Sequence, residues 1–216
     1  MIKMLNMDCM EYMRTVPDKY FDLAIVDPPY GIGESSRKRE FNTERWNVKK
    51  QKVHNVKKWD DCAPEKEYFT QLLRVSKNQI IWGANHFISK IPLDSSCWIV
   101  WDKKNGDSDF ADCELAWGSF KSAVRKFDWL WNGFQKQKPE ERFHPTQKPI
   151  ALYRWLLQNY AKPEFKILDT HLGSGSSAIA AHYFGVAEFV GTELDEDYYK
   201  ACCERFENAT AQEALF

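Results

Sequence analysis

The sequence predicts an α/β fold, with a mostly parallel sheet carrying helices on both faces. Three observations carry that prediction. Short apolar runs bounded by Gly, Pro or charged residues recur along the chain, as strands covered on both faces do. In the last third these runs alternate with helical patterns, the order that parallel βαβ units require. The length, 216 residues, suits one α/β domain with a proper core and is short for two.

The elements follow in order. Residues 8–16 are mostly helix-compatible and lead through Pro17-Asp18 into a buried strand, Phe21-Asp22-Leu23-Ala24-Ile25-Val26. Pro64 stands as a first helical residue, and Tyr68, Phe69, Leu72, Leu73 and Val75 form a helical stripe after it. Residues 79–82 are a short strand ended by Gly83. Residues 97–101 are another, and 114–117 a candidate third. Residues 119–143 read as irregular, aromatic and basic. Pro149 opens a helix that runs to Tyr160. The back third then reads strand 165–168, small-residue helix 176–184, strand 188–191 and a last helix, 195–206.

Composition narrows the function classes. Charged residues are 28%, apolar residues 44% and the formal net charge is −1, so any affinity for a polyanion must come from a local patch. No apolar run reaches membrane-spanning length, and the first residues lack the apolar core of a signal peptide. The six cysteines (Cys9, Cys62, Cys97, Cys113, Cys202, Cys203) are dispersed without C-x-x-C spacing. They read as reduced thiols of a cytoplasmic protein, with neither a zinc site nor a disulfide framework.

The most informative segment is Asp27-Pro28-Pro29-Tyr30, directly after the strand 21–26. It places an acid, two prolines and an aromatic ring at the carboxyl end of a strand, where open α/β sheets bind ligands. Two prolines remove two N–H donors and hold the backbone extended, leaving carbonyls as acceptors. A carboxylate, a carbonyl and a π-face at fixed offsets suit a flat, amine-bearing ring such as a nucleobase.

A second segment, Asp169-Thr170-His171-Leu172-Gly173-Ser174-Gly175-Ser176, follows one strand and opens a helix. Its glycines permit a tight turn and close approach to a ligand. Glu193 lies twenty positions after Gly173, where an acid accepts hydrogen bonds from ribose hydroxyls. The pattern Gly173-x-Gly175-x-x-Ala178 also fits a nicotinamide or flavin enzyme. Against that rival, the turn comes after three quarters of the chain, too few residues follow for a second mononucleotide half, and Asp27 has no role in hydride transfer.

Together these segments resemble the β class of amino-group DNA methyltransferases, which methylate adenine N6 or cytosine N4. The order matches: catalytic turn first, target recognition in the middle, cofactor turn last. His144-Pro145-Thr146-Gln147-Lys148-Pro149 resembles the family's segment before the cofactor turn, and Asp8-Cys9 the segment lining the cofactor adenine. His171 departs from the usual phenylalanine; we read it as a polar substitution without chemistry.

The resemblance implies a Rossmann-like fold in a single domain, 1–216, and S-adenosyl-L-methionine as cofactor. It implies a catalytic set of Asp27, Pro28, Pro29 and Tyr30. The cofactor set it implies is Asp8, Cys9, Asp27, His144, Thr146, Lys148, Asp169, His171, Gly173, Ser174, Gly175, Ser176, Glu193 and Leu194, with no metal.

Residues 31–58 carry nine basic residues against three acids. We read 31–63 as a basic loop beside the catalytic turn, with Arg37, Lys38, Arg39, Arg45, Lys49 and Lys50 facing double-stranded DNA, and about 102–143 as a second DNA-contacting region. The aromatics of 119–143 equally suit a layer covering the core. Pro-Cys is absent, which disfavours carbon-5 cytosine chemistry. The resemblance implies site-specific methylation of adenine N6 in DNA, aspartate rather than serine at position 27 leaning that way by family analogy. N4-cytosine methylation, an RNA substrate and a catalytically silent DNA-binding subunit stay open, as do a homodimer and a separate restriction endonuclease.

Overall fold

The computed structural model describes residues 1–33, 60, 62–106, 111–131, 140, 144 and 146–211. Eight strands form one sheet in the order β1-β8-β7-β2-β3-β5-β4-β6. They are β1 (Ile2–Asn6), β2 (Phe21–Val26), β3 (Ser76–Trp82), β4 (Cys97–Asp102), β5 (Cys113–Gly118), β6 (Arg125–Asp128), β7 (Lys166–Asp169) and β8 (Glu188–Glu193). Every pairing is parallel except the two that β5 makes, with β3 and with β4. One reversed strand therefore sits inside an otherwise parallel sheet. Among the described residues, five α-helices cover it: α1 (Cys9–Thr15), α2 (Lys66–Val75), α3 (Ile150–Tyr160), α4 (Ser176–Phe184) and α5 (Glu196–Ala211).

Strand β2 shows why both faces are covered. Its side chains alternate, as the pleat demands, so Leu23 and Ile25 point one way while Ala24 and Val26 point the other. The first pair packs with Leu152 and Leu156 of α3 and Ala178 and Ala181 of α4. The second packs with Met13 of α1 and Phe69 and Leu72 of α2. Burying each such large side chain contributes about 1.5–3 kcal/mol, so β2 is anchored from both sides and its end cannot drift.

The α/β class and the element order match the sequence reading. Two strands escaped it, β1 and β6, and both lie at sheet edges. Edge strands bury little: β6 is Arg-Lys-Phe-Asp with three of four residues exposed, so no apolar run betrays it. Helix α2 begins at Lys66, with Glu65 at its N-cap. Pro64 lies one residue further out, its carbonyl taken by Lys90 Nζ at 2.8 Å. In the stretch after β5, Phe120, Phe127 and Trp129 pack against the core and Trp131 is buried in it. Among the described residues, no helix is long and apolar enough to cross a membrane.

Candidate active site

Strands β2 and β7 are neighbours at the middle of the sheet. From β2 the chain continues outward through β3, and from β7 it continues the other way through β8. Their carboxyl ends therefore open at the point where strand order reverses, the usual crevice of such sheets. The Asp27 turn leaves β2 here and the glycine turn leaves β7. With the ends of β1 and β8 they enclose a cavity of about 200 Å³.

The cavity's β7–β8 side is shaped by backbone. Gly173 and Gly175 adopt φ of +52° and +75°, the left-handed region that glycine enters without cost. A Cβ at Gly175 would lie 2.5 Å from Cys202 Sγ, so glycine is required there twice over. Glu193 accepts the Gly173 N–H at 2.8 Å and the Asp195 N–H at 3.0 Å. Asp169 accepts the His171 N–H at 3.0 Å and the Ser177 hydroxyl at 2.5 Å. Burial pushes the Asp169 carboxyl up to about 7, although both of these donors oppose the rise. Buried Arg205 donates to the Ser174 carbonyl at 2.7 Å and to Ser176 Oγ at 2.9 Å, tying α5 to the turn.

Asp8 caps α1, accepting the N–H groups of Met10 and Glu11. The Cys9 thiol is pushed up to about 12 by burial first and by Asp8 second, so it lines the cavity as a neutral group. His171 stands edge-on to Tyr68 with centroids 5.5 Å apart, and burial lowers it to about 4. The ring is therefore uncharged at neutral pH, with Nδ1 2.9 Å from Thr170 Oγ1. His144 accepts from the Thr146 N–H at 3.3 Å and packs edge-on against Tyr198.

The β2–β5 side is held by charge. Lys148, only 3% exposed, reaches across to Asp27 Oδ2 at 2.6 Å and Glu114 Oε2 at 3.0 Å. It also donates to the Tyr30 hydroxyl at 3.1 Å, and that hydroxyl donates to Asp27 Oδ1 at 2.8 Å. Lys103 takes the other oxygen of Glu114 at 2.5 Å. Burial raises the Asp27 carboxyl; Lys148 opposes the rise and Glu114 adds to it. Tyr30 lies nearly parallel to His86 (centroids 4.9 Å, 16°), and a Cβ on Gly83 would collide with the Tyr30 ring. Asp60 fixes the turn by accepting the N–H groups of Tyr30 and Gly31 at 2.8 and 2.9 Å.

Of the residues singled out by sequence, Asp8, Cys9, Asp27, Pro29, His144, Thr146, Lys148, His171, Gly173, Ser174, Glu193 and Leu194 line the cavity. Asp169 and Ser176 are buried and Gly175 caps α4, all three supporting the turn from behind. Pro28 and Tyr30 stand beside the lining. Arg37, Lys38, Arg39, Arg45, Lys49 and Lys50 lie outside the described residues. Glu114, Lys103, Asp60 and Arg205 were missed, because no local pattern marks a partner that the fold brings from far along the chain. All six cysteines are free thiols. Among the described residues, no three His, Cys, Asp or Glu side chains converge as metal ligands.

A doubly wound sheet with one reversed strand, an acid-Pro-Pro-aromatic turn and a glycine turn held by an acid on the next strand are the features of an amino-group DNA methyltransferase. The N6/N4 DNA methylase family model matches residues 97–204, half of the chain, and the protein belongs to that family. It is 24% identical over 232 residues to YubD of Escherichia coli (strain K12), which carries the name methylase, covering all of this chain and 93% of that one. It is 25% identical over 241 residues to the type II methyltransferase M.HinfI of Haemophilus influenzae, covering 90% of this chain and 65% of that enzyme. The crystal structure of the M1.HpyAVI–SAM complex shares the fold, with TM-score 0.59, 22% identity and coverage of 95% and 100%.

S-Adenosylmethionine is the cofactor of this family, and the cavity suits it. Glu193 lines the cavity as a carboxylate buttressed by two backbone N–H groups, and Leu194, 70% exposed, gives its rim an apolar surface.

Proposed function

We propose that the protein methylates the N6 amino group of adenine in double-stranded DNA, acting on a base turned out of the helix. The observation that carries this reading is the Asp27 carboxylate at the cavity, next to a Pro-Pro backbone that has carbonyls but no N–H groups. The adenine amino lone pair is delocalised into its ring, so the nitrogen is a poor nucleophile. Acceptance of its two N–H bonds by Asp27 and the Pro28 carbonyl favours an sp³-like nitrogen with its lone pair directed into the cavity. Such catalysis comes from positioning and electrostatics.

When bound, S-adenosylmethionine supplies an electrophilic methyl group on a sulfonium sulfur. Glu193 would hold its ribose, Leu194 would cover its adenine, and the His144–Lys148 segment would border its methionine end. Tyr30 offers the ring on which an extruded base stacks; His86 occupies one face of it, which leaves the base the other face or the place of the imidazole. The basic residues 37–50 would face the DNA phosphates.

By analogy with the family, aspartate rather than serine at the first position of the catalytic turn leans towards adenine. The second reading is N4-cytosine methylation, because the family spans both and the same two acceptors would serve that amine. Transfer of labelled methyl to unmethylated DNA, followed by nucleoside analysis, decides between them. Label in N6-methyladenine that vanishes in Asp27→Ala is the expected result. Label in N4-methylcytosine would replace the first reading with the second, and label only in RNA would overturn both.

A further inference from the structure

We infer that Glu114 is a positioning residue for methyl transfer: it shares the Lys148 ammonium with Asp27 and so sets how much of that cation reaches the catalytic carboxylate. The inference rests on reading Asp27 as the acceptor of the target amine.

The geometry is a chain of alternating charges, Lys103–Glu114–Lys148–Asp27, with links of 2.5, 3.0 and 2.6 Å. Tyr30 sits against its active end, donating to Asp27 at 2.8 Å and lying 3.5 Å from Glu114. Asp169, Tyr68 and Tyr153 also feel Asp27 electrostatically, from β7, α2 and α3. Glu114 arrives on β5, the one reversed strand, and so from a part of the chain that neither the turn 27–30 nor the segment 144–149 specifies.

A buried lysine with a single carboxylate partner would form a tight pair. Asp27 would then spend its charge on Lys148 and have little left for an amine. The second carboxylate changes this. Glu114 draws part of the ammonium to itself and leaves Asp27 more negative. Burial would raise the Glu114 carboxyl, yet Lys148 and Lys103 together hold it down to about 2. It therefore stays ionised at any working pH, while the Asp27 carboxyl is raised by burial and by Glu114.

The test is steady-state kinetics against pH, with labelled S-adenosylmethionine, unmethylated DNA and the full chain. In Glu114→Gln, Lys148 is left to Asp27. We expect kcat to fall about 10²-fold, KM for S-adenosylmethionine to stay near wild type, and the acid limb of the kcat profile to move to lower pH. Glu114→Asp keeps the charge, so its limb stays in place. In Lys103→Met, Glu114 turns wholly to Lys148, and the limb moves to higher pH. Packing damage does not produce opposite displacements.

A limb that stays still in both charge variants, or moves the same way in both, overturns the inference. So does wild-type kcat in Glu114→Gln. If Glu114→Gln fails to fold, as read by thermal melting and cofactor binding, Lys103→Met decides alone. Failure of the underlying reading is seen separately, as full activity in Asp27→Ala.

Discussion

On the β7–β8 side of the cavity the carboxylates accept from the backbone of their own turns: Glu193 takes the N–H groups of Gly173 and Asp195, and Asp169 that of His171 together with the neutral Ser177 hydroxyl. On the β2–β5 side Asp60 takes backbone N–H groups behind the turn, but Asp27 and Glu114 are met by charged and hydroxyl side chains: Asp27 takes Lys148 and Tyr30, and Glu114 takes Lys148 and Lys103. Backbone donors are placed by the turn itself and keep their positions whatever the pH. Side-chain ions hold one another only while their charges persist, and each feels the loss of the next. The first side is therefore a rigid mould, suited to one invariant cofactor. The second is an adjustable electrostatic device, which on the proposed reading of Asp27 would change the reactivity of an amine.

The sharpest break in that comparison is Asp27→Ala. It should cost roughly 10²–10⁴-fold in kcat while calorimetry finds cofactor affinity nearly unchanged, because Glu193 and the glycine turn do not depend on Asp27. A parallel loss of cofactor binding would show that the two sides are one unit. Next comes Gly175→Ala. The left-handed backbone and the approach of Cys202 should cost about 1–3 kcal/mol, read as a lower melting temperature together with weakened cofactor binding. Glu193→Gln should weaken cofactor affinity roughly 10–100-fold, as expected for hydrogen bonds to a charged group, with kcat at saturation largely kept. A fall in kcat instead would place Glu193 in the adjustable half.

The same contrast explains what could be read from sequence. The mould lies in one contiguous stretch, 169–195, where strand, glycines, helix and acid follow at fixed spacing, so its residues were legible before any fold was known. The device is drawn from positions 27, 30, 103, 114 and 148; Lys103 follows β4, and Glu114 joins because β5 runs backwards beside β3. Asp27, Tyr30 and Lys148 were found through their motifs. Lys103 and Glu114 have no motif, and in sequence they are two ordinary charges flanking a loop. Strands β1 and β6 were missed for a related reason, since an edge strand leaves too much surface exposed to show as an apolar run.

The smallest expected effect concerns His171, the departure from phenylalanine inside the mould. Its ring stands edge-on to Tyr68, its Nδ1 lies 2.9 Å from Thr170 Oγ1, and burial lowers it from the ordinary 6.5 to about 4. A histidine whose folded value is depressed contributes fully above its unfolded value and loses that contribution as pH falls toward the folded one. At pH 8 the ring is neutral in both states, so His171→Phe should leave kcat and cofactor affinity within about twofold, as a volume-conserving aromatic swap does. Between pH 6.5 and 4 the wild type alone must resist protonation. Its stability relative to His171→Phe should therefore decline by roughly 1–3 kcal/mol, followed by denaturant unfolding at both pH values. A variant equally stable across that window would mean that His171 reaches solvent and titrates normally. The mould would then be open at that point, and the imidazole free to act as a polar group beside the cofactor.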